Sequence, residues 1–204
     1  MDEKLLGYFQ APKNTNGIIR SKTTGQLRAW NLGNSLSQLE KINDNEWGKL
    51  EFPSIYILFE KKKIYIGEAK CVYTRTKSHI NNPDDKVKNW DRILIINDGR
   101  PATQSDMNDI VVRRFIEDYL IRLFKLNKYI VVSQGSPQPV TSFQKTIVDN
   151  LIHELKFFLQ KENLITKVFS EVGEEEVHID ELEKSVRKSG RKIEKWGAYT
   201  AVID

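Results

Sequence analysis

Two short runs of β-branched and aromatic residues, SIYILF (54–59) and KIYIGEA (63–69), are separated only by Glu60, Lys61 and Lys62. So short a polar connection between two strand-forming runs favours an antiparallel pair, because parallel strands need a crossover of a dozen residues or more. Tyr56 and Tyr65 then lie close to one another on one face of the pair, and Gly67 lets the backbone end of the second strand approach whatever sits there.

The helix pattern begins directly after this hairpin. Val72, Thr76 and Ile80 share one side of a helix over Cys71–His79, with Arg75 and His79 four residues apart on another. WDRILIIND (90–98) reads as a third strand with a buried centre. Ser105 is expected to cap a long helix to about Leu126, since Val112, Phe115, Ile116, Tyr119, Leu120 and Leu123 recur at helical spacing. YIVVS (129–133) predicts a short strand, GSPQP ends it, and SFQKTIVDNLIHELKFFLQ (142–160) predicts a further amphipathic helix. Upstream, GIIRSK and QLRAWNL flank Thr23-Thr24-Gly25 as a hairpin, and a short helix follows from Ser35. The final 40 or so residues alternate between acidic EVGEEEVHIDELE and basic KSVRKSGRKIEK, a polar appendage.

These elements predict an α/β (α+β) fold: a small, mostly antiparallel central sheet flanked by helices. Residues 1–50 form an N-terminal arm, 51–137 the principal module and 138–204 a C-terminal helix and polar extension. A chain of 204 residues supports one main core. Lys plus Arg outnumber Asp plus Glu by 32 to 28, with a pI near 9.0, which suits a polyanionic partner without requiring one. The lone Cys71 excludes an internal disulfide, and no Cys/His cluster has zinc spacing. MDEKLLGYFQAP is acidic from the start and has no long apolar run, so a signal peptide and a membrane anchor are not expected and a cytoplasmic location is.

The hairpin and the helix after it resemble the GIY-YIG nuclease superfamily. Ser54-Ile55-Tyr56 stands where that family has Gly-Ile-Tyr, and Tyr65-Ile66-Gly67 is its second triplet unchanged. Arg75 and His79 follow on the next helix, and Glu117 matches a helix-borne carboxylate. The similarity runs from about Pro53 to Pro137. It implies a DNA endonuclease, of type II restriction or defence kind, using Mg²⁺ or Mn²⁺ held by Glu117. Tyr56 would be the general base or would orient the attacking water, with Tyr65 positioning it and Arg75 stabilising the phosphoryl oxygens. His79 would bond the phosphate or relay a proton with Tyr56. A phenol is a weak base at neutral pH, so cationic charge from Arg75 and the metal is expected to favour its phenolate.

The chain departs from the family in three places. Ser54 replaces a glycine, Glu68 stands where some relatives carry a lysine, so that charge is either absent or supplied by Lys70, and the usual asparagine has only Ser133, Gln134 or Asn127 as substitutes. Asp118, between Arg114 and Arg122, reads as a solvated face, whereas Glu117 borders the buried stripe with Arg113 at i−4. Arg20, Lys22, Arg28 and Trp30 are candidate DNA contacts, with Arg187, Lys188, Arg191 and Lys192 as a second patch. Double-stranded DNA is the expected partner, and cutting both strands calls for a homodimer or two sequential nicks. The rival readings are a non-catalytic DNA-binding module with the same fold and a structure-specific repair or recombination nuclease.

Overall fold

The computed structural model describes residues 6–11, 17–45, 49–83, 85–136, 138–169 and the strands at 176–178, 192–196 and 199–203. The fold is α+β. The hairpin that dominates the sequence forms as expected: β4 (Ser54–Glu60) pairs antiparallel with β5 (Lys63–Ala69) over seven residues. Lys61, in the two-residue turn, has φ 57°, a left-handed conformation that costs a non-glycine residue roughly 1–2 kcal/mol. The length of the paired strands offsets that cost.

Around this hairpin the sheet has seven strands in the order β1-β2-β3-β6-β4-β5-β7. β1 (Tyr8–Gln10), β2 (Ile19–Thr23) and β3 (Leu27–Gly33) come from the N-terminal segment, which extends the sheet through β3 onto β6 (Arg92–Asp98). β6 also pairs with β4, so β4 is hydrogen-bonded on both sides. All pairs in this sheet are antiparallel except β5 with the two-residue β7 (Ile130–Val131).

Alternation along β4 divides the core. Ile55, Ile57 and Phe59 join Ile64, Ile66, Leu94 and Ile96 against α3 (Ile110–Leu126) and α4 (Ser142–Lys161). Tyr56 and Leu58 join Trp30, Leu32, Ile93 and Ile95 on the opposite face, beneath α1 (Leu36–Asn45) and beside α2 (Val72–Asn81). Both faces are covered, so Ser54 through Phe59 are all buried.

The start of α3 differs from expectation. Ser105 caps only a single 3₁₀ turn, Asp106–Asn108, by accepting from the Met107 amide, and α3 is capped by Asp109, whose side chain accepts from the Val111 amide. Two good capping residues four apart produce two successive starts, and burial of Met107 between them keeps the first turn distinct. The polar tail also carries strand: β8 (Lys167–Phe169) pairs with β9 (Glu176–His178), and β10 (Lys192–Trp196) with β11 (Tyr199–Ile203). Arg187, Lys188 and Arg191 lie outside the described residues.

α4 clamps the N-terminal hairpin through two carboxylates. Glu154, buried, accepts from the Thr23 hydroxyl at 2.7 Å and from the amides of Gln26 and Leu27 at the β2–β3 turn. Gly25 is obligatory there because a β-carbon would overlap the Glu154 carboxylate. About two turns further along, just past the end of α4, Glu162 accepts from the hydroxyls of Tyr8 and Ser21. Replacing Glu154 by Ala orphans several donors together and is expected to cost about 2–4 kcal/mol. The urea midpoint measures it, and a midpoint equal to that of the unmodified chain would remove the clamp.

Candidate active site

The register of β4 on β5 sets the positions of the two tyrosines. Tyr56 is opposite Gly67 and Tyr65 is opposite Leu58, which makes the two residues diagonal neighbours on one face. Their rings stack with centroids 6.1 Å apart and planes inclined by 28°. The Tyr56 ring lies across Gly67, where a β-carbon would overlap the phenol. The glycine of the second triplet is therefore required by packing, since any side chain would displace the tyrosine.

α2 brings two more groups to the same point. Its buried face carries Val72, Thr76 and His79, and Arg75 leans from its exposed side. Arg75 Nε donates to the Tyr56 hydroxyl at 3.1 Å, and His79 Nε2 lies 3.1 Å from that hydroxyl. The rings of both tyrosines sit 5.6 Å from the His79 ring, and the Tyr65 hydroxyl adjoins Tyr56 and Arg75. With its oxygen accepting from Arg75, the phenol is free to donate its own proton to a neutral His79 Nε2.

Burial raises the Tyr56 pKa by more than Arg75, acting in the expected direction, lowers it. Burial first, then the neighbouring Tyr65 oxygen, raises the Tyr56 pKa above the ordinary phenol range, and the lowering effect of Arg75 does not compensate. The resting phenol is neutral, not a phenolate. Removing water from around an oxyanion costs more than one partly exposed guanidinium returns. In turn, the hydrogen bond to Tyr56 raises the Arg75 pKa further.

Glu117 arrives from the other face of the sheet. Beyond Ile64, the outer edge of β5 has no strand partner among the described residues: the Val132 amide bonds the Ile64 carbonyl, the Ile66 amide donates to Ser133 Oγ, and the Glu68 backbone N–H serves the Glu117 carboxylate. Glu68 immediately follows Gly67, so one peptide separates the residue beneath the Tyr56 phenol from the one bonded to Glu117. The four groups on the tyrosine face thus meet around one hydroxyl, whereas Glu117, on the α3 side of the sheet, is joined to the Glu68 backbone of β5 and not to that hydroxyl.

Arg113 is not the partner of Glu117 that its i−4 spacing suggests. It is buried, donates to Glu68 at 2.7 Å and bonds the carbonyls of Met107 and Asn108. Glu117 is left half-buried beside a second carboxylate, and burial followed by the charge of Glu68 lifts its pKa to about 7. Asp118 pairs with Arg122 at 3.1 Å on the solvated side, as its spacing implies. Arg113 is the contributor that sequence reasoning missed. The only signal for Arg113 was its place at the border of the buried stripe.

Of the asparagine substitutes, Asn127 is committed elsewhere, bonding the Leu123 and Lys167 carbonyls and the Thr166 and Lys167 amides. Ser133 lies at the β5 edge and Gln134 is exposed. Lys70 is exposed just ahead of α2, and Arg20, Lys22 and Arg28 lie on β2 and β3 away from the tyrosines. Trp30 is buried at 4 % exposure in the core of its face, so it does not present a ring to a large ligand as expected; its strand position faces it inward against Leu32 and Ile95.

A divalent cation is compatible with this rim. Glu117 is an oxygen donor whose charge is suppressed by burial and by Glu68, and a cation there would relieve both effects. Among the described residues, no three His, Cys, Asp or Glu side chains gather into a closed cage. Any such ion would therefore complete its shell with water and phosphate oxygens, as magnesium commonly does. No family model, curated protein or solved structure matches the chain.

The raised Glu117 pKa has a stability consequence of definite sign. A carboxyl with ordinary pKa 4.5 when unfolded and about 7 when folded binds its proton more tightly in the native state, so it loses stability as pH rises between those values. Glu117→Gln is expected to unfold at higher temperature than the unmodified chain at pH 8 and with no advantage at pH 4. Allowing for the solvent that still reaches the carboxyl, the gain is on the order of 1 kcal/mol. Paired thermal melts at the two pH values measure it, and an equal offset at both would contradict the assignment.

Proposed function

We propose that this chain is a divalent-metal-dependent DNA endonuclease of the GIY-YIG kind, with Tyr56, Tyr65, Arg75 and His79 acting on the phosphate and Glu117 holding the metal. The observation that carries the reading is the Tyr56 hydroxyl, 3.1 Å from both Arg75 Nε and His79 Nε2, over a glycine that leaves its approach clear of a side chain. A buried phenol needs one partner to be satisfied, and two partners of complementary proton character suit proton transfer better than packing.

The chemistry follows from the neutral phenol. An attacking water gives a proton to the Tyr56 oxygen as Tyr56 passes its own to His79 Nε2, so the imidazole is the final acceptor and the phenol the relay. The hydroxide oxygen bonds phosphorus in line, the bond to the leaving oxygen breaks, and that oxygen takes a proton from solvent. Arg75, partly exposed, turns its remaining N–H groups toward the phosphoryl oxygens as their charge grows. Tyr65 keeps the Tyr56 ring in place by stacking and steadies the water. A cation on Glu117, when bound, supplies Lewis-acid stabilisation of phosphate charge and of the departing oxygen. A type II restriction or defence role is the version preferred within this class.

A second reading is favoured by the same raised phenol pKa: a DNA-binding module that retains the fold without cutting. Incubating supercoiled plasmid with the chain and Mg²⁺ or Mn²⁺ separates them. Metal-dependent nicking is expected, reduced about 10²–10³-fold or more in Tyr56→Phe, His79→Ala, Arg75→Ala and Glu117→Gln. The rate should climb with pH through about 7 as Glu117 ionises and becomes a ligand. Binding of plasmid without cutting under any metal or pH would replace the enzyme with the module. Discrete genomic fragments indicate restriction, and preference for branched substrates indicates repair.

A further inference from the structure

Three basic side chains and an exposed aromatic ring share a concave patch that the proposed chemistry does not use. The open face of β1–β3 holds a groove of about 330 Å³ whose wall is Phe9, whose floor is Ala29 and Trp30, and whose rim carries Arg20, Lys22 and Arg28. No carboxylate lines it. Phe9 is 53 % exposed, an unusual state for a large apolar ring in a strand, and Lys22 Nζ lies 5.5 Å from its centroid. Arg28 folds across Gly99, where a β-carbon would strike its side chain, and donates to the Leu27 carbonyl while lining the groove.

Strand register relates this patch to the tyrosines. Arg20 is opposite Trp30, Trp30 opposite Ile95, and Ile95 opposite Tyr56, so all four project from the same face of the sheet in one transverse row. Three strand spacings separate Arg20 from Tyr56, roughly 14 Å, or about four nucleotide steps along a helical axis. That face is covered between them by the α1 layer, which gives the groove its own mouth.

We propose that this groove is a second nucleic-acid site, which takes an unpaired stretch of the strand whose phosphodiester is cut; the proposal rests on the nuclease reading. The occupant is a base stacked on Phe9, with its flanking phosphates on Arg20, Lys22 and Arg28. A duplex backbone would use the cations alone and leave Phe9 idle, whereas an unstacked base uses both, as single-strand binders do with aromatic platforms beside basic residues. The apolar floor suits the face of a planar ring.

Fluorescence anisotropy tests this with labelled single-stranded and duplex oligonucleotides of one sequence, in EDTA so that nothing is cut. The unmodified chain should prefer the single strand. Phe9→Ala should weaken single-strand binding about tenfold or more with the salt dependence kept, and Lys22→Gln should lower the salt slope by about one. Phe143→Ala, which removes an exposed ring on α4 outside the groove, should bind as the unmodified chain does. Circular dichroism confirms that each variant is folded; Phe9 and Lys22 are both exposed, so neither change disturbs the core. Undiminished single-strand binding by Phe9→Ala and Lys22→Gln, or no single-strand binding by the unmodified chain, overturns the proposal. If plasmid is cut while these variants bind normally, the groove alone fails; if the groove binds but no plasmid is ever cut, the nuclease reading alone fails.

Discussion

A phenol placed in the middle of a strand buried on both faces must have its hydroxyl satisfied from within the protein. β4 is hydrogen-bonded to β5 on one side and β6 on the other, with helices over both faces, so the Tyr56 ring is buried and its hydroxyl leans on protein partners. Leaving that hydroxyl unpaired would cost about 1–3 kcal/mol. The position of α2 follows from this constraint: the helix starts immediately after β5 and projects Arg75 and His79, one turn apart, onto the one oxygen that needs them. Gly67 completes the arrangement by leaving room for the ring. The same contacts that satisfy the core thus assemble a proton donor, a proton acceptor and a cation around one hydroxyl.

The second feature of the site is a charge placed against its own stability. Arg113, the natural partner for Glu117 along the helix, is drawn to Glu68 and to two carbonyls at the start of α3. Glu117 is consequently left with burial and the Glu68 carboxylate, which Arg114 offsets only in part, and its pKa rises to about 7. Perturbed carboxyl groups cluster at functional sites, and this one lies at the β5 edge on the α3 side of the sheet.

Legibility in the sequence differed from part to part for identifiable reasons. The β4–β5 hairpin, the β2–β3 hairpin, the third strand and the two long helices were readable because hydrophobic period and turn residues are local quantities. The convergence of Tyr56, Tyr65, Arg75 and His79 was readable too, since the four lie within 24 residues on three consecutive elements. The start of α3 was misread by one capping residue, because Ser105 and Asp109 are equally good caps and only the burial of Met107 chooses between them. Trp30 was misjudged as a surface contact: alternation says that it shares a face with Arg28, but not that α1 covers that end of the face.

What the sequence determined by itself was the set of elements and the identity of the residues on the tyrosine face, because strand and helix periodicity act over a few residues. The tertiary structure alone decided three other things: that β3 docks on β6 and draws the N-terminal hairpin into the sheet, that Arg113 abandons Glu117 for Glu68, and that burial outweighs Arg75 in setting the protonation of Tyr56. Each depends on which distant groups come together and how much water they exclude. Desolvation and long-range pairing are properties of the packed molecule, and no local pattern encodes them.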